Sequence, residues 1–583
     1  MNTWLLLCCT MAVLLVAAGT PALAADPGGR KGGPPRVAAA AEPVAAPATA
    51  PADAPATEVR VQVLNKPLGA IDRRLFGQFM ERPSWGETGP EGALAPGTGQ
   101  LLPAVVKLLE EMKIPIVRFP GGTDVDYLDW RDMVDNVPGR EGGRPVSTGH
   151  KGDQVTNRFG YDEFLRLAER LGWDTIIVVN LADGLLGRRP IKEAALHAAG
   201  LVAYCNAAVG AKLPAGLPDW PAVRAKNGRE KPYGVKYIQL GNEIWAFADR
   251  MKEKHGDRRD DVHAECLREY ERAIHAVDPS VTLIMDNNEA VTAKVPDLAG
   301  KKIPLLAGHF YGPWGIKKVV RDGAEVPLEK LTAEEIWYAW VASPKIDAQG
   351  QSMLEANVWK AAPAVGCQVA VTEWNWNGGW GHGPVRPALD SELAKGLGAA
   401  GFLHGLMRRA DRAVIGTQSM LVGTGWGIAA VAVDRKGEQP PRIRASGMVT
   451  MLYSQHHGDR LLETSSSGVP FYNQPFEMGG IKPNARVAMI DALATASERA
   501  VYWHAINRSF DQALEVTLDV SAMGPVAEQG RQFVLEGKLE DVAKPGEPQQ
   551  LAAIRQANVP VSAGRARVTL PPRSVSVVEV ERK

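Results

Sequence analysis

Between residues 75 and 421, short apolar runs alternate with stretches whose apolar residues recur every three or four positions. The runs are "LFGQFM" from Leu75, "IVRFPGG" from Ile116, "TIIVVN" from Thr175, "VKYIQLGNE" from Val235, "TLIMDN" from Thr282, "LAGHFY" from Leu306, "QVAVTEW" from Gln368 and "AVIGTQSML" from Ala413. Continuous apolar runs of this length predict strands buried on both faces. Segments such as "LLPAVVKLLEEMK", "YDEFLRLAERLG", "AECLREYERAIHAVD" and "ELAKGLGAAGFLHGLMRRAD" predict helices with one apolar stripe. Strand–helix alternation implies a parallel sheet, and eight such units close into a (β/α)8 TIM barrel. The alternative, an open doubly wound sheet, normally carries a glycine-rich phosphate turn after its first strand. "FGQFMERPSWGETG" is not such a turn.

From about Gly458 the pattern changes. "RVAMIDALATA", "RAVYWHAINRS", "ALEVTLDV", "RQFVLEGKL", "ARVTLPP" and "SVSVVEVERK" are strand-like and separated by polar, Gly or Pro turns, which predicts an antiparallel β-sandwich. "EVRVQVLNKP", ahead of the barrel, has the same style and is expected to join that sandwich. The expected organisation is therefore an N-terminal strand over 58–70, a catalytic barrel over 71–457 and a C-terminal β-sandwich over 458–583.

Upstream, residues 25–57 are an Ala/Pro-rich stretch with almost no bulky apolar side chain, which predicts a disordered linker. Residues 1–24 have an apolar core and an "ALA" end at Ala24 suited to signal-peptidase cleavage, so a secreted or periplasmic protein is expected. A signal anchor is the competing reading. No later stretch is apolar for long enough to span a membrane.

Composition adds mainly exclusions. At 583 residues, with 45% hydrophobic and 23% charged residues, the chain is globular in type, and 66 basic residues balance 66 acidic ones. That balance gives nothing that points to nucleic acid or an anionic membrane as a partner. Cys205, Cys266 and Cys367 make neither a disulfide framework nor a metal-ligand spacing, and read as small buried hydrophobes. No cofactor and no metal are expected, because neither HExxH nor a Cys/His ligand spacing occurs. His263, in "HAE", reads as charged helix surface.

In a barrel of this kind, chemistry sits at the C-terminal ends of the strands. The tips carry Glu81, Arg118, Asn180, Asn242 with Glu243, Asn287, His309 with Tyr311, Glu373, and Gln418. Bringing two carboxylates together costs electrostatic energy, so the set points to a use for it. Paired carboxylates on a cleft suggest glycoside hydrolysis, one protonated for the leaving group and one ionised for attack. Arg118 is placed to keep the nucleophile ionised, and Asn242 to bond the sugar hydroxyl next to the anomeric carbon.

The stretches "VRFPGGTDVDYLDWRD", "NRFGYDEFLRLAERLG", "IIVVNLADG", "VKYIQLGNEIW", "GHFYGPW" and "VTEWNW" together resemble glycoside hydrolase family 51, the α-L-arabinofuranosidases. The resemblance runs from about Glu58 to the C-terminus. It implies a retaining double displacement with Glu243 as acid/base at the end of the fourth barrel strand and Glu373 as nucleophile at the end of the seventh. It also implies sugar contacts from Glu81, Asn180 or its neighbours, Asn242, Tyr311 and Gln418, with Arg118 and His309 beside the nucleophile. The chain departs from the family's "EH" pair, having "ERPSW" with Arg82, Pro83 and Trp85. After "PGG" it has Thr123 and Asp124, where the family commonly has Asn or another small residue.

Asp124 and Asp126 read as loop caps ahead of sugar ligands. Trp245, Phe247, Trp314, Trp374, Trp376 and Trp380 crowd the loops and are candidates for either core packing or sugar subsites. The expected function is a secreted retaining glycosidase, most simply an exo-acting α-L-arabinofuranosidase on plant-type polysaccharide. The alternatives are an endo-β-glucanase or β-xylanase with the same pair, or a non-catalytic carbohydrate-binding scaffold. The partner expected is a polysaccharide or oligosaccharide; a homo-oligomer is compatible with the sequence.

Overall fold

The eight apolar runs form eight parallel strands of one closed barrel. The computed structural model describes residues 58–312, 319–341, 358–376, 385–477, 482–544 and 546–583. The segments expected to be a signal peptide and a linker, and the tryptophans Trp314 and Trp380, lie outside the described residues. After an N-terminal strand β1 (Val59–Ala70), the barrel strands are β2 (Gly77–Phe79), β3 (Ile116–Phe119), β4 (Asp174–Val179), β5 (Tyr237–Leu240), β6 (Thr282–Met285), β7 (Leu305–Gly312), β8 (Gln368–Trp376) and β9 (Ala413–Ser419). They pair in chain order, and β9 closes the ring on β2 with Gln418 opposite Gln78.

Alternation along each strand divides the apolar residues between two environments. Ile116, Ile176, Tyr237, Ile284, Leu305, Ala370 and Ile415 point inward and fill the barrel as one cluster. Their neighbours Val117, Ile177, Ile238, Leu283, Leu306 and Val369 face outward onto the helices. Hence the strands read as unbroken apolar runs rather than alternating ones. Among the helices, α1 (Pro103–Met112) opens on Pro103 and buries Val105, Val106, Leu109 and Met112. The next, α2 (Tyr161–Leu171), ends at Gly172 in the left-handed conformation, a common helix stop. In α3 (Arg259–Val277), His263 is buried rather than on the surface, because it lies on the same stripe as Cys266, Leu267 and Tyr270. Burial pushes its pKa down to about 4, so it is a neutral core histidine. The cysteines Cys205, Cys266 and Cys367 are free and buried.

The C-terminal part is a β-sandwich whose edges join. Its strands are β10 (Arg460–Ser467), β11 (Ile490–Ala496), β12 (Ala500–Asn507), β13 (Leu514–Asp519), β14 (Gln529–Gly537), β15 (Ala552–Ser562), β16 (Arg565–Leu570) and β17 (Ser574–Glu581). Strand β1 completes the ring. It runs antiparallel to β10, with Val61 opposite Ser466, and parallel to β13, with Val61 opposite Leu518. Two helices, α4 (Glu392–Arg408) and α5 (Ala445–Gln455), lie at the join. Leu393, Leu397 and Leu403 of α4 share one core with Phe533, Leu535, Val575 and Val577 of β14 and β17. Each such buried side chain contributes roughly 1.5–3 kcal/mol, so the sandwich braces the barrel that carries the site. Among the described residues no helix is long and apolar enough to cross a membrane.

Candidate active site

Glu373 sits near the end of β8, where a register irregularity between Val371 and Glu373 sets it opposite His309 of β7. Such a bulge re-aims a side chain at a barrel rim. The carboxylate is buried and held from three sides. Arg118, fully buried on β3, donates from Nη1 to Glu373 Oε1 at 2.9 Å. Tyr311 donates from Oη to Glu373 Oε2 at 2.7 Å, and its oxygen lies 2.8 Å from Ser419 Oγ. His309 Nδ1 lies 3.7 Å from Glu373 Oε1. Burial alone would push this carboxyl up; His309, Arg118 and Tyr311 outweigh burial and hold it below its ordinary value.

Glu243 reaches the same pocket through a turn that demands glycine. Gly241 has φ of 73°, and a Cβ there would lie 2.6 Å from Ile244 Cδ1 and 2.9 Å from Leu181 Cβ. Asn242 follows, its N–H donating to Asp126 Oδ2 at 2.7 Å, and Glu243 itself takes the left-handed conformation at φ 47°. A non-glycine residue in that region carries roughly 1–2 kcal/mol of strain, which is common at functional positions. Glu243 Oε1 meets His309 Nδ1 at 3.0 Å, and His309 Nε2 meets Thr372 Oγ1 at 2.9 Å. Burial opposes a charge on His309, but Glu373 and Glu243 outweigh it and raise its pKa. An oxygen of Glu243, a ring nitrogen of His309 and an oxygen of Glu373 all lie within 4.8 Å of one another. They form the one cluster among the described residues close enough to share a metal ion. The histidine nitrogen that would face such an ion is already bonded to Glu243.

Glu81, from the loop after β2, completes the pocket floor. Its Oε1 accepts from Gly122 N at 3.1 Å. A Cβ on Gly122 would come within 3.3 Å of Glu81 Oε1 and 3.4 Å of Glu373 Oε1, so the "PGG" glycine lets backbone approach two carboxyl groups at once. Burial, then the charges of Glu373 and Asp124, push the Glu81 carboxyl up to about 8. It is therefore protonated at neutral pH and able to donate as well as accept. Unfolded, the same carboxyl ionises near 4.5. Between those two values the folded state keeps a proton that the unfolded state has lost, so this group's contribution to stability falls as pH rises through that window. In Glu81→Gln the melting temperature is expected to fall less steeply than in the wild type between about pH 5 and pH 8. Thermal melts across that range check it.

Arg118 bridges the two strand ends because a third group aims it. Its Nη2 donates to Asn242 Oδ1 at 2.6 Å, and its Nε donates to Gln239 Oε1 at 2.8 Å. Gln239 was not read from the sequence, where one amide inside the apolar "VKYIQL" run carries no obvious signal. In a barrel strand, however, such a polar residue must find a buried partner. Replacing Gln239 by Leu frees the Nε end of Arg118. The acid limb of the kcat/KM profile is then expected to move to higher pH as Glu373 loses support, with kcat down about tenfold. A pH-rate series on the variant measures both.

Other expected site residues are held by bonds of their own. Asn180 donates from Nδ2 to the Leu128 carbonyl at 3.2 Å and accepts from Asp183 N at 3.0 Å, tying loop to loop. Gln418 accepts from Gln78 Nε2 at 2.9 Å and from Thr450 Oγ1 at 2.7 Å, inside the wall between β2, β9 and α5. No hydrogen bond among the described residues joins either of them to the glutamate pair. Asn287 at the β6 tip is likewise outside these bonds, its buried Oδ1 without a partner among the described residues. Asp126 caps loops, accepting from the N–H groups of Leu181, Ala182 and Asn242. Asp124 is bonded to both the backbone and the ring of His150. Arg82, the departure from the family's "EH", is buried and donates to Asn157 Oδ1 at 3.1 Å. Trp374 and Trp376 are core residues, and Phe247 is buried too. A cavity of about 930 Å³ lies apart from these carboxylates, between α1, α2 and the loop around Asn136, and shares no lining residue with them.

A (β/α)8 barrel with two glutamates converging from its fourth and seventh strands, one ion-paired and one on a strained turn, has the architecture of a carboxylate-pair glycosidase. Residues 108–313 match the family described as "Alpha-L-arabinofuranosidase 1 domain". The chain is 31% identical over 323 residues to alpha-L-arabinofuranosidase C of Emericella nidulans, covering 50% of this chain and 58% of that one. It is 23% identical over 500 residues to an intracellular exo-alpha-(1->5)-L-arabinofuranosidase of Acetivibrio thermocellus, covering 78% and 86%. The first two curated relatives are matched over only about half of their own length. In fold, the chain superposes on the thermostable GH51 alpha-L-arabinofuranosidase of Thermotoga petrophila with a TM-score of 0.66 at 23% identity, covering 90% of this chain and 100% of that one. The likeness is thus to α-L-arabinofuranosidases in sequence, and to a family 51 enzyme in fold.

Proposed function

We propose that the protein is an exported, retaining, exo-acting α-L-arabinofuranosidase that removes terminal α-L-arabinofuranosyl groups from plant-type polysaccharide. The observation that carries the carboxylate-pair chemistry is that one oxygen of Glu243 and one of Glu373 approach within 4.8 Å, too close to leave room for a water between the groups. Retaining pairs stand roughly 5–5.5 Å apart, whereas inverting pairs leave 6.5–9.5 Å for a water. Glu373, kept ionised by Arg118, Tyr311 and His309, attacks the anomeric carbon as Glu243 gives its proton to the departing oxygen. The C–O bond to the leaving group breaks and an ester to Glu373 forms. Glu243, now a carboxylate, takes a proton from water, whose oxygen displaces Glu373 and restores both groups. Asn242, pinned by Arg118 and Asp126, and protonated Glu81 face the sugar. Export rests on the leader-like sequence of residues 1–24.

Hydrolysis of nitrophenyl α-L-arabinofuranoside, with the first-formed anomer followed by proton NMR, tests the reading. Release of the α anomer first is the expected result. The β anomer first would overturn the retaining mechanism, and no release would overturn the sugar assignment in favour of a glucan or xylan.

A further inference from the structure

The pocket rim on the Glu243 side is aromatic and cationic, and the two-step chemistry leaves these groups unused. The side chain of Glu243 is 24% exposed against 8% for Glu373, so the site opens toward the proton donor, where a leaving group departs. Two residues after Glu243, Trp245 is 64% exposed. Trp85, 43% exposed, is held in the left-handed conformation at φ 55° with its ring centroid 4.3 Å from that of His150. His150 is bonded to Asp124, two residues beyond Gly122, whose N–H donates to Glu81, so this tryptophan stands beside the pocket wall. From His150 the rings continue to Tyr127 at 6.3 Å, and from Tyr127 to Phe247 at 5.9 Å, in the same one-turn helix as Trp245. Flat exposed rings beside a glycosidase pocket suit the apolar faces of sugars.

Two cations sit on this arc. Lys151 Nζ lies 3.8 Å from the centre of the Trp85 ring. Arg250 donates from Nη1 to Tyr127 Oη at 2.9 Å, its guanidinium 5.9 Å from the Phe247 ring. Neither has an ion-pair partner among the described residues. Arg188, also over Tyr127, differs: it bonds the Asp126 carbonyl and lies 3.5 Å from Asp183. Aromatic support holds a cation in place without neutralising it, leaving it free to meet an anion.

We propose that this rim is a leaving-group subsite for a carboxylate-bearing glycan, one whose backbone contains uronate residues. The proposal rests on the glycosidase reading above, since it places the rim on the departing side of the bond. Lys151 and Arg250 pair with uronate carboxylates while Trp85 and Trp245 stack on sugar rings. A neutral backbone would use the stacking alone.

The test compares an arabinofuranosyl oligosaccharide on a uronate-containing backbone with its carboxyl-reduced neutral counterpart. At low ionic strength the acidic member is expected to have about three- to tenfold higher kcat/KM, two partly exposed ion pairs being worth that much. The ratio should approach one in about 0.5 M salt, where the Debye length is only a few ångströms. It should also approach one in the Lys151→Ala/Arg250→Ala double variant, while Arg250→Lys retains most of it. A ratio of one in the wild type at low salt, or a preference the double variant keeps, overturns the subsite. Turnover of nitrophenyl α-L-arabinofuranoside with a ratio of one would sink the subsite and leave the proposed function intact. If that glycoside is not turned over, the proposed function fails, and calorimetric binding of the two oligosaccharides still decides the subsite: equal affinity overturns it.

Discussion

Replacing Glu373 by Ala is expected to lower kcat by at least about 10⁴-fold, the scale on which loss of a catalytic nucleophile usually registers. The cause is specific to the geometry. Arg118, Tyr311 and His309 converge on this one carboxylate, and their effect on its ionisation depends on it. Added azide is expected to restore turnover by occupying the space the carboxylate leaves, giving a glycosyl azide of inverted configuration. Rescue with retained configuration would reject the assignment. The variant also leaves Arg118 buried with a hydrogen bond to Asn242 and another to Gln239 but with no carboxylate. Removing one member of a buried pair commonly costs about 3–5 kcal/mol. A lower melting temperature is therefore expected alongside the kinetic loss, and azide rescue separates the chemistry from unfolding.

The second large effect is expected at Glu243, and it should depend on the substrate. Glu243→Ala removes the proton donor, worth about 10²–10⁴-fold when the leaving group needs protonation. Nitrophenolate departs without that help, so the first step should survive on the activated glycoside while natural glycans lose nearly all turnover. Hydrolysis of the glycosyl-enzyme still needs a base, so a burst of nitrophenol followed by a slow steady state is the expected trace. Equal losses on both substrates, without a burst, would remove Glu243 from the acid/base role. Where both carboxylates are present, the pH profile reports the coupled pair rather than either residue alone.

The barrel was legible because its strands are buried on both faces, which leaves unbroken apolar runs such as "TIIVV" and "VAV". Strands β10 and β15 were not, because "RLLETSSS" and "AAIRQANVPVS" spend much of their length at the surface and lose the alternation that marks a half-buried strand. At the site, sequence position placed a residue at a strand end but not the direction its side chain takes. Asn180 and Gln418 show the consequence: both stand at tips, yet their amides turn to backbone or to the barrel wall. The turn chemistry after β4 favours an asparagine that caps, and the wall between β9 and α5 offers buried hydroxyl and carbonyl partners. His263 illustrates the reverse error, since charged neighbours in "HAE" hide that its own helical stripe faces inward. Gln239 carries no such signal, because the run around it is apolar.

Strand β1 has a consequence for biogenesis. It emerges from the ribosome early, yet its antiparallel partner β10 lies about 400 residues downstream and its parallel partner β13 later still. At about 5–20 residues per second, the chain waits roughly 20–80 s before its first neighbour exists. During that interval Val59, Val61 and Val63 belong to an orphan strand able to recruit a wrong partner, with Arg60, Lys66 and Pro67 along it as deterrents. The ring around the sandwich is thus a late event, a clasp fastened only when synthesis is nearly done. Truncations that end the chain before Arg460 should leave the amino-terminal strand without either partner.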